Sequence, residues 1–140
     1  MPQVVDVTAL RLSLTRLARR VRKNSAPGLT PSQLSALTTI ERHGSTRLGR
    51  LAEREHISKS STTRLVARLE GLGLVARQQD PDDARSWCVD LTTDGAALLR
   101  AASDRADEYL ARQLSALGPD DRERIASALP ALERLLAVKS

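Results

Sequence analysis

Aromatic residues are almost absent from this chain, which has one tryptophan, one tyrosine and no phenylalanine among 140 residues. The hydrophobic fraction of 41% must therefore supply an aliphatic core of Leu, Ala, Val and Ile. Leu, Ala and Arg also favour helices. The length suits a single domain. These features together predict a mostly helical protein.

Cysteine and long apolar runs are equally scarce. Cys88 is the one cysteine, so an internal disulfide framework is excluded. The first residues lack the basic segment and long apolar run of a secretory signal. No stretch approaches the roughly 18 apolar residues that a membrane span needs. We expect a cytoplasmic protein with no membrane partner.

Residue sets for catalysis or metal binding are also missing. His43 and His56 are the only histidines, and neither has a second His or Cys at ligand spacing. We find no nucleophile beside a base and no glycine loop for phosphates. The sequence therefore predicts that the chain is not an enzyme and uses neither a cofactor nor a metal.

The net charge of +5 is distributed unevenly along the chain. Residues 47–68 carry 6 basic and 2 acidic side chains, whereas residues 93–140 carry 7 basic and 8 acidic ones. A basic segment favours a nucleic-acid partner. A protein that coats DNA without sequence preference needs basic charge throughout, so this alternative is less favoured than a specific binder.

Apolar spacing and capping residues predict four helices in the first half of the chain. Thr30, Pro31 and Gln33 form a capping box with proline at the first helical position. The predicted segments are Val7–Val21, Pro31 to Gly44, Gly49–Glu55, and a fourth helix from its cap Ser58 to about Leu72.

The pattern then changes to strand alternation. Leu74–Gln79 and Ser86–Leu91 flank the turn residues Asp80–Ala84, which predicts a hairpin. A long helix to about Leu117 and a last helix after Gly118 follow. The fold class is mostly α with a small β-hairpin wing, that is, a winged helix-turn-helix plus helical dimerisation region.

The fourth helix has two distinct faces at 100° per residue. Its inward side holds Thr62, Leu65, Val66, Leu69 and Leu72. Its outer face is short, hydroxylated and basic, which suits entry into a DNA major groove, although a solvated face is the alternative. The candidate DNA-binding residues are Ser58, Lys59, Ser60, Ser61, Thr63, Arg64 and Arg68. A module that binds only proteins would need an apolar face here.

The chain resembles the MarR family of bacterial regulators over essentially its whole length. The matching segments are 51–54, 57–70, 73–75, 83–85 and 89–92. The resemblance implies one domain, 1–140. Its DNA-binding lobe would span 30–92, and helices in 1–29 and 93–140 would form a homodimer.

The resemblance further implies a repressor that binds a pseudo-palindromic operator in double-stranded DNA. A small aromatic or phenolic acid would release the DNA. Arg85 at the tip of the wing would enter the minor groove, held by an ion pair with Asp83. Three positions depart from the family: Glu55 and His56 replace the usual Leu and Gly, and Thr62 replaces Val. Histidine disfavours a left-handed turn, which leaves the angle between the two helices open.

Several further side chains have two interpretations. Arg16 and Arg20 lie four apart on the first helix and could bind an anionic ligand, or they form a solvated face. Cys88 could sense oxidants, but a structural strand cysteine is favoured. Trp87 and Tyr109 could mark a ligand pocket, whereas we favour a wing anchor and dimer packing.

Overall fold

The computed structural model describes residues 4–139, and its helices and strands follow the predicted order. The helices are α1 (Val7–Ser25), α2 (Pro31–His43), α3 (Leu48–Glu55), α4 (Lys59–Gly71), α5 (Thr93–Ser115) and α6 (Pro119–Ala137). The strands are β1 (Thr46–Arg47), β2 (Val75–Asp80) and β3 (Asp83–Leu91). The predicted fold class is confirmed.

Capping residues explain where the early helices begin. The carboxylate of Asp6 accepts from the backbone N–H of Ala9 at 3.0 Å. At α2, Thr30 and Gln33 form both bonds of the capping box, with Pro31 in the first turn. These contacts satisfy N–H groups that have no partner within the helix.

The strands form one antiparallel sheet in the order β1-β3-β2. Thr46 of β1 pairs with Val89, and Val75 of β2 pairs with Leu91. The β2–β3 register shifts between Gln79 and Asp80, next to the turn of the hairpin. The hairpin therefore has regular pairing at its base and an irregular tip.

The described chain forms two compact units, of which one ends at Ala106 and the other begins at Asp107, inside α5. The first unit holds a core from α2, α3, α4, the sheet and the start of α5. Its buried members are Ala36, Leu37, Ile40, Leu51, Val66, Leu69, Leu74, Val75, Val89 and Leu99. This aliphatic core fixes the short helices against the sheet.

A close backbone contact joins the start of α5 to the start of β2. The Thr92 hydroxyl donates to the Gly73 carbonyl at 2.6 Å and accepts from the Gly95 N–H at 3.0 Å. A Cβ placed on Gly95 would lie 2.1 Å from the carbonyl oxygen of Leu74. Glycine is therefore required here by the approach of the two backbones.

We expect Gly95→Ala to lower the free energy of unfolding by about 3 kcal/mol, because the backbone must move to admit the methyl group. Gly71→Ala is the matched control, since a Cβ at that helical position meets nothing within 4 Å. Urea denaturation measures both variants. Equal stability of Gly95→Ala and the parent chain would contradict the proposed contact.

Apolar side chains remain uncovered on two helices, each in its own unit. In α1, Leu12, Leu14 and Leu17 are exposed. In α6, no residue is buried, and the exposed apolar residues include Ile125, Leu129, Leu135 and Leu136. Such faces are typical of surfaces that contact another chain.

Candidate nucleic-acid interface

A tight turn connects α3 to α4, and His56 supplies its left-handed residue. Its φ and ψ are 55° and 42°, and its N–H donates toward the carbonyls of Ala52 and Glu53. Ile57 N–H then donates to Ala52 at 3.1 Å. Histidine is less suited than glycine to this left-handed conformation, yet His56 adopts it, at a cost of about 1 kcal/mol relative to glycine.

Glu55, the other unusual residue of the turn, connects α3 to α2 through hydrogen bonds. Its two carboxylate oxygens accept from the hydroxyls of Ser35 at 2.8 Å and Thr39 at 2.9 Å. A leucine could make only apolar contacts at this place. Glu55 therefore holds the end of α3 against α2 through hydrogen bonds, where a leucine would rely on apolar packing.

The inward side of α4 packs as predicted, with one exception. Thr62, Val66 and Leu69 are buried, and Leu65 is half-buried. The Thr62 hydroxyl donates to the Ser58 carbonyl at 2.9 Å, so threonine fits where an aliphatic residue is usual. The prediction for Leu72 is wrong: this residue is the C-cap of α4, just before the left-handed Gly73, and it is 51% exposed.

The outer face of α4 carries the predicted candidates, and its hydroxyl groups are organised. Ser58 caps the helix by accepting from the Ser61 N–H at 3.1 Å, and its hydroxyl also donates to that of Ser61 at 2.9 Å. Arg64 lies 3.4 Å from the Ser61 hydroxyl, a weak contact. The exposed members of this face are Ser58, Lys59, Ser60, Thr63, Arg64, Ala67 and Arg68, whereas Ser61 is half-buried.

The wing presents Arg85 as an exposed side chain near its tip. Asp83 does not hold it by the expected ion pair. Instead, its carboxylate accepts from the Arg85 backbone N–H at 3.0 Å and from the Ser86 hydroxyl at 3.3 Å. The local turn satisfies Asp83, so it shapes the backbone at Arg85 and leaves the guanidinium extended into solvent.

One open groove brings the start of α4 and the wing together. Its lining is Arg47, Leu48, Gly49, Arg50, Glu53, Lys59, Thr63, Arg85, Ser86 and Trp87. Arg47 is paired with Asp80, and Arg50 with Glu53 at 3.2 Å. Within residues 4–139, Lys59 and Arg85 form no ion pair. The groove therefore has an excess of positive charge that suits the phosphates of a nucleic acid.

Two residues that sequence reasoning missed connect α4 to the base of the wing. Glu70 accepts from the backbone N–H of Arg77 at 3.3 Å, and the two side chains form an ion pair at 3.2 Å. The Arg77 guanidinium also lies 5.7 Å from the ring centroid of Trp87. Trp87 is 42% exposed and contacts Arg77 of the neighbouring wing strand, so its anchoring role stays a prediction.

The remaining candidates lie outside this groove. Arg16 and Arg20 are exposed on α1, where they line a shallow groove with Ser13 and Leu17. Cys88 is buried in β3, as a structural strand cysteine would be.

The pKa of His43 is lowered from its usual value. The largest cause is partial loss of hydration, followed by the positive charges of Arg54 and Arg42. Tyr109 is half-buried.

Residues 4–139 contain no group of three His, Cys, Asp or Glu side chains placed to bind a metal. Over the same range, every helix is too short or too polar to cross a membrane.

Comparison with known proteins agrees with this geometry. The MarR family profile matches residues 29–87. An HTH-type transcriptional regulator of Mycobacterium leprae is 37% identical over 128 residues, which cover 91% of this chain and 90% of the relative. The HTH-type transcriptional repressor MdtR of Bacillus subtilis is 29% identical, over 80% of this chain and 76% of that protein.

A solved structure extends the similarity to the whole fold. The crystal structure of a transcriptional regulator from Pseudomonas aeruginosa superposes with a TM-score of 0.84 and 31% identity, covering 95% of each chain. The chain therefore belongs to the MarR family of DNA-binding, winged helix-turn-helix transcriptional regulators, and it is not an enzyme.

Proposed function

We propose that this regulator is a homodimeric, sequence-specific repressor of transcription. The observation that carries the proposal is the common groove, in which Lys59 and Thr63 of α4 lie with Arg85 of the wing. Its similarity to MdtR, which is named a repressor, supports the direction of regulation. A DNA-binding regulator acts where the chromosome lies, so we place it in the cytoplasm.

In this proposal α4 enters the major groove and the wing follows the adjacent minor groove. Ser58, Lys59, Ser60 and Ser61 would contact phosphates near the helix start. Thr63, Arg64 and Arg68 would reach base edges or the flanking backbone. Asp83 would shape the wing turn, and Arg85 would enter the minor groove. The DNA-binding lobe is 30–92.

The dimer would form through the helices of 1–29 and 93–140. The exposed leucines of α1 and the exposed apolar residues of α6 support this assignment, because each helix carries an uncovered apolar face within its own unit. Two copies of α4 would then meet a pseudo-palindromic operator, with half-sites about one helical turn apart.

Release of DNA by a small aromatic or phenolic acid is part of the proposal. Arg16 and Arg20 are the candidate residues for binding the carboxylate of this acid. Their groove is formed by one helix only, so a bound ring would need a surface of the partner chain to cover it. Titration of the protein–operator complex with benzoate and hydroxybenzoates tests this step. Retention of the operator at saturating acid would contradict it.

Arg85→Ala tests the wing contact. We expect operator affinity to fall by about tenfold, with little change in the preferred sequence, because a minor-groove contact discriminates weakly between base pairs. Hydroxyl-radical footprinting should show minor-groove protection on both outer sides of the site for the parent protein and its loss for the variant. Unchanged affinity and protection would remove the wing from the interface.

A further inference from the structure

A buried carboxylate lies at the base of the wing turn. Asp80 is the last residue of β2, and only 5% of its side chain is exposed to solvent. One carboxylate oxygen accepts from the Asp82 N–H at 2.9 Å and orders the turn. The other faces the guanidinium of Arg47 and has no hydrogen bond of standard geometry. The Arg47 charge is therefore what compensates the burial of this oxygen.

This ion pair joins the two outer strands of the sheet. Arg47 belongs to β1 and Asp80 to β2, and β3 lies between those strands. The pair thus crosses the middle strand at the place where the register of β2 and β3 shifts. Irregular hairpin ends with few buried contacts open easily, so a contact across all three strands restricts the wing at its weakest point.

The contacts continue from Asp80 to the wing arginine. Asp80 fixes Asp82, and the next residue, Asp83, accepts from the backbone of Arg85. Arg47, Arg85 and Lys59 also line the same groove. The direction of the Arg85 side chain therefore depends on a turn that Asp80 holds in place.

We propose that Arg47 and Asp80 are positioning residues for DNA binding, which hold the wing so that Arg85 reaches the duplex. The inference rests on the proposed wing contact of Arg85. Asp80 itself is turned inward and does not touch DNA. Its role is to keep the turn closed, and Arg47 balances its charge from the exposed side of the pair.

Asp80→Asn gives the sharpest test, because it keeps a side-chain oxygen for the Asp82 N–H and replaces the charged oxygen that faces Arg47 with a neutral amide group. We expect the dissociation constant for the operator to rise about tenfold, within the range of coupled contacts. Asp82→Asn is the matched control: it is exposed in the same turn and changes the net charge equally. Removing an exposed negative charge near DNA should leave binding unchanged or tighter.

A double-mutant cycle with Arg85→Ala separates positioning from general charge effects. Arg85→Ala should cost about tenfold in the parent protein but less than about threefold in the Asp80→Asn background. The same cost in both backgrounds, or Asp80→Asn binding as tightly as Asp82→Asn, would overturn the inference. No cost of Arg85→Ala in the parent would instead show that the proposed wing contact is wrong, and the inference would fall with it.

If thermal denaturation shows that Asp80→Asn is not folded at the temperature of the binding experiment, Arg47→Gln tests the proposal instead. Arg50→Gln is its control, because Arg50 lines the same groove and its ion pair with Glu53 is exposed. We expect Arg47→Gln to make the effect of Arg85→Ala smaller, and Arg50→Gln to leave it unchanged. Full additivity for Arg47→Gln would overturn the proposal.

Discussion

Replacing Leu129 with aspartate is expected to convert the proposed dimer into a monomer and to lower operator affinity by at least about 100-fold. Leu129 is 56% exposed on α6, so the substitution costs the isolated chain little. In a dimer interface the same carboxylate would lose its hydration without a partner. Binding to two half-sites as one unit would be lost with the dimer.

The apolar residues of α6 lie on one side of the helix, so a substitution on the opposite side serves as a control. Ile125, Leu129 and Leu136 recur at helical intervals and form one exposed apolar stripe. Ser127 lies on the opposite side of the same helix, so Ser127→Asp is the control with the same added charge. Sedimentation velocity at micromolar concentration measures the oligomeric state. A Leu129→Asp protein that still sediments as a dimer would exclude this face from the interface.

Arg64→Ala is expected to weaken specific binding by about 1–3 kcal/mol, or roughly 5-fold to 150-fold. Arg64 is exposed on the outer face of α4, and its only polar contact within residues 4–139 is the 3.4 Å one to Ser61. The guanidinium is therefore free to extend toward a base edge. Losing a bidentate contact to guanine should also relax the preference at one position of each half-site.

Arg100→Ala is the matched control for Arg64→Ala, because it removes one exposed positive charge from α5 in the same unit. Fluorescence anisotropy with the operator and with single-base variants measures both proteins. The control should lose only a small, sequence-independent part of its affinity. A variant at Arg64 with unchanged base preference would contradict the major-groove assignment.

Local chemistry made most of the fold predictable. The capping box at Thr30 and Gln33 and the cap at Ser58 mark helix starts within a few residues, so their sequence signals are sufficient. The hairpin was predictable because apolar and polar residues alternate on both sides of a turn. Leu72 fits the inward period of α4, but as the C-cap residue before the left-handed Gly73 it stays 51% exposed, which the period alone does not predict.

Contacts between distant residues could not be predicted in the same way. Arg47 and Asp80 meet only because β1 and β2 flank β3, and no spacing rule relates them. Glu55 was noted as a departure, yet its partners Ser35 and Thr39 lie on another helix. The predicted ion pair between Asp83 and the Arg85 side chain does not form. Because the two residues are only two apart in a turn, the Asp83 carboxylate accepts from the Arg85 backbone N–H instead.

A binding selection from a random duplex pool at two salt concentrations distinguishes a dimeric, sequence-specific regulator from a DNA-coating protein. We expect the selection to recover, at both salt concentrations, a pseudo-palindrome whose half-sites lie about one helical turn apart. Salt-sensitive binding with no enriched sequence would contradict this expectation and indicate a DNA-coating protein.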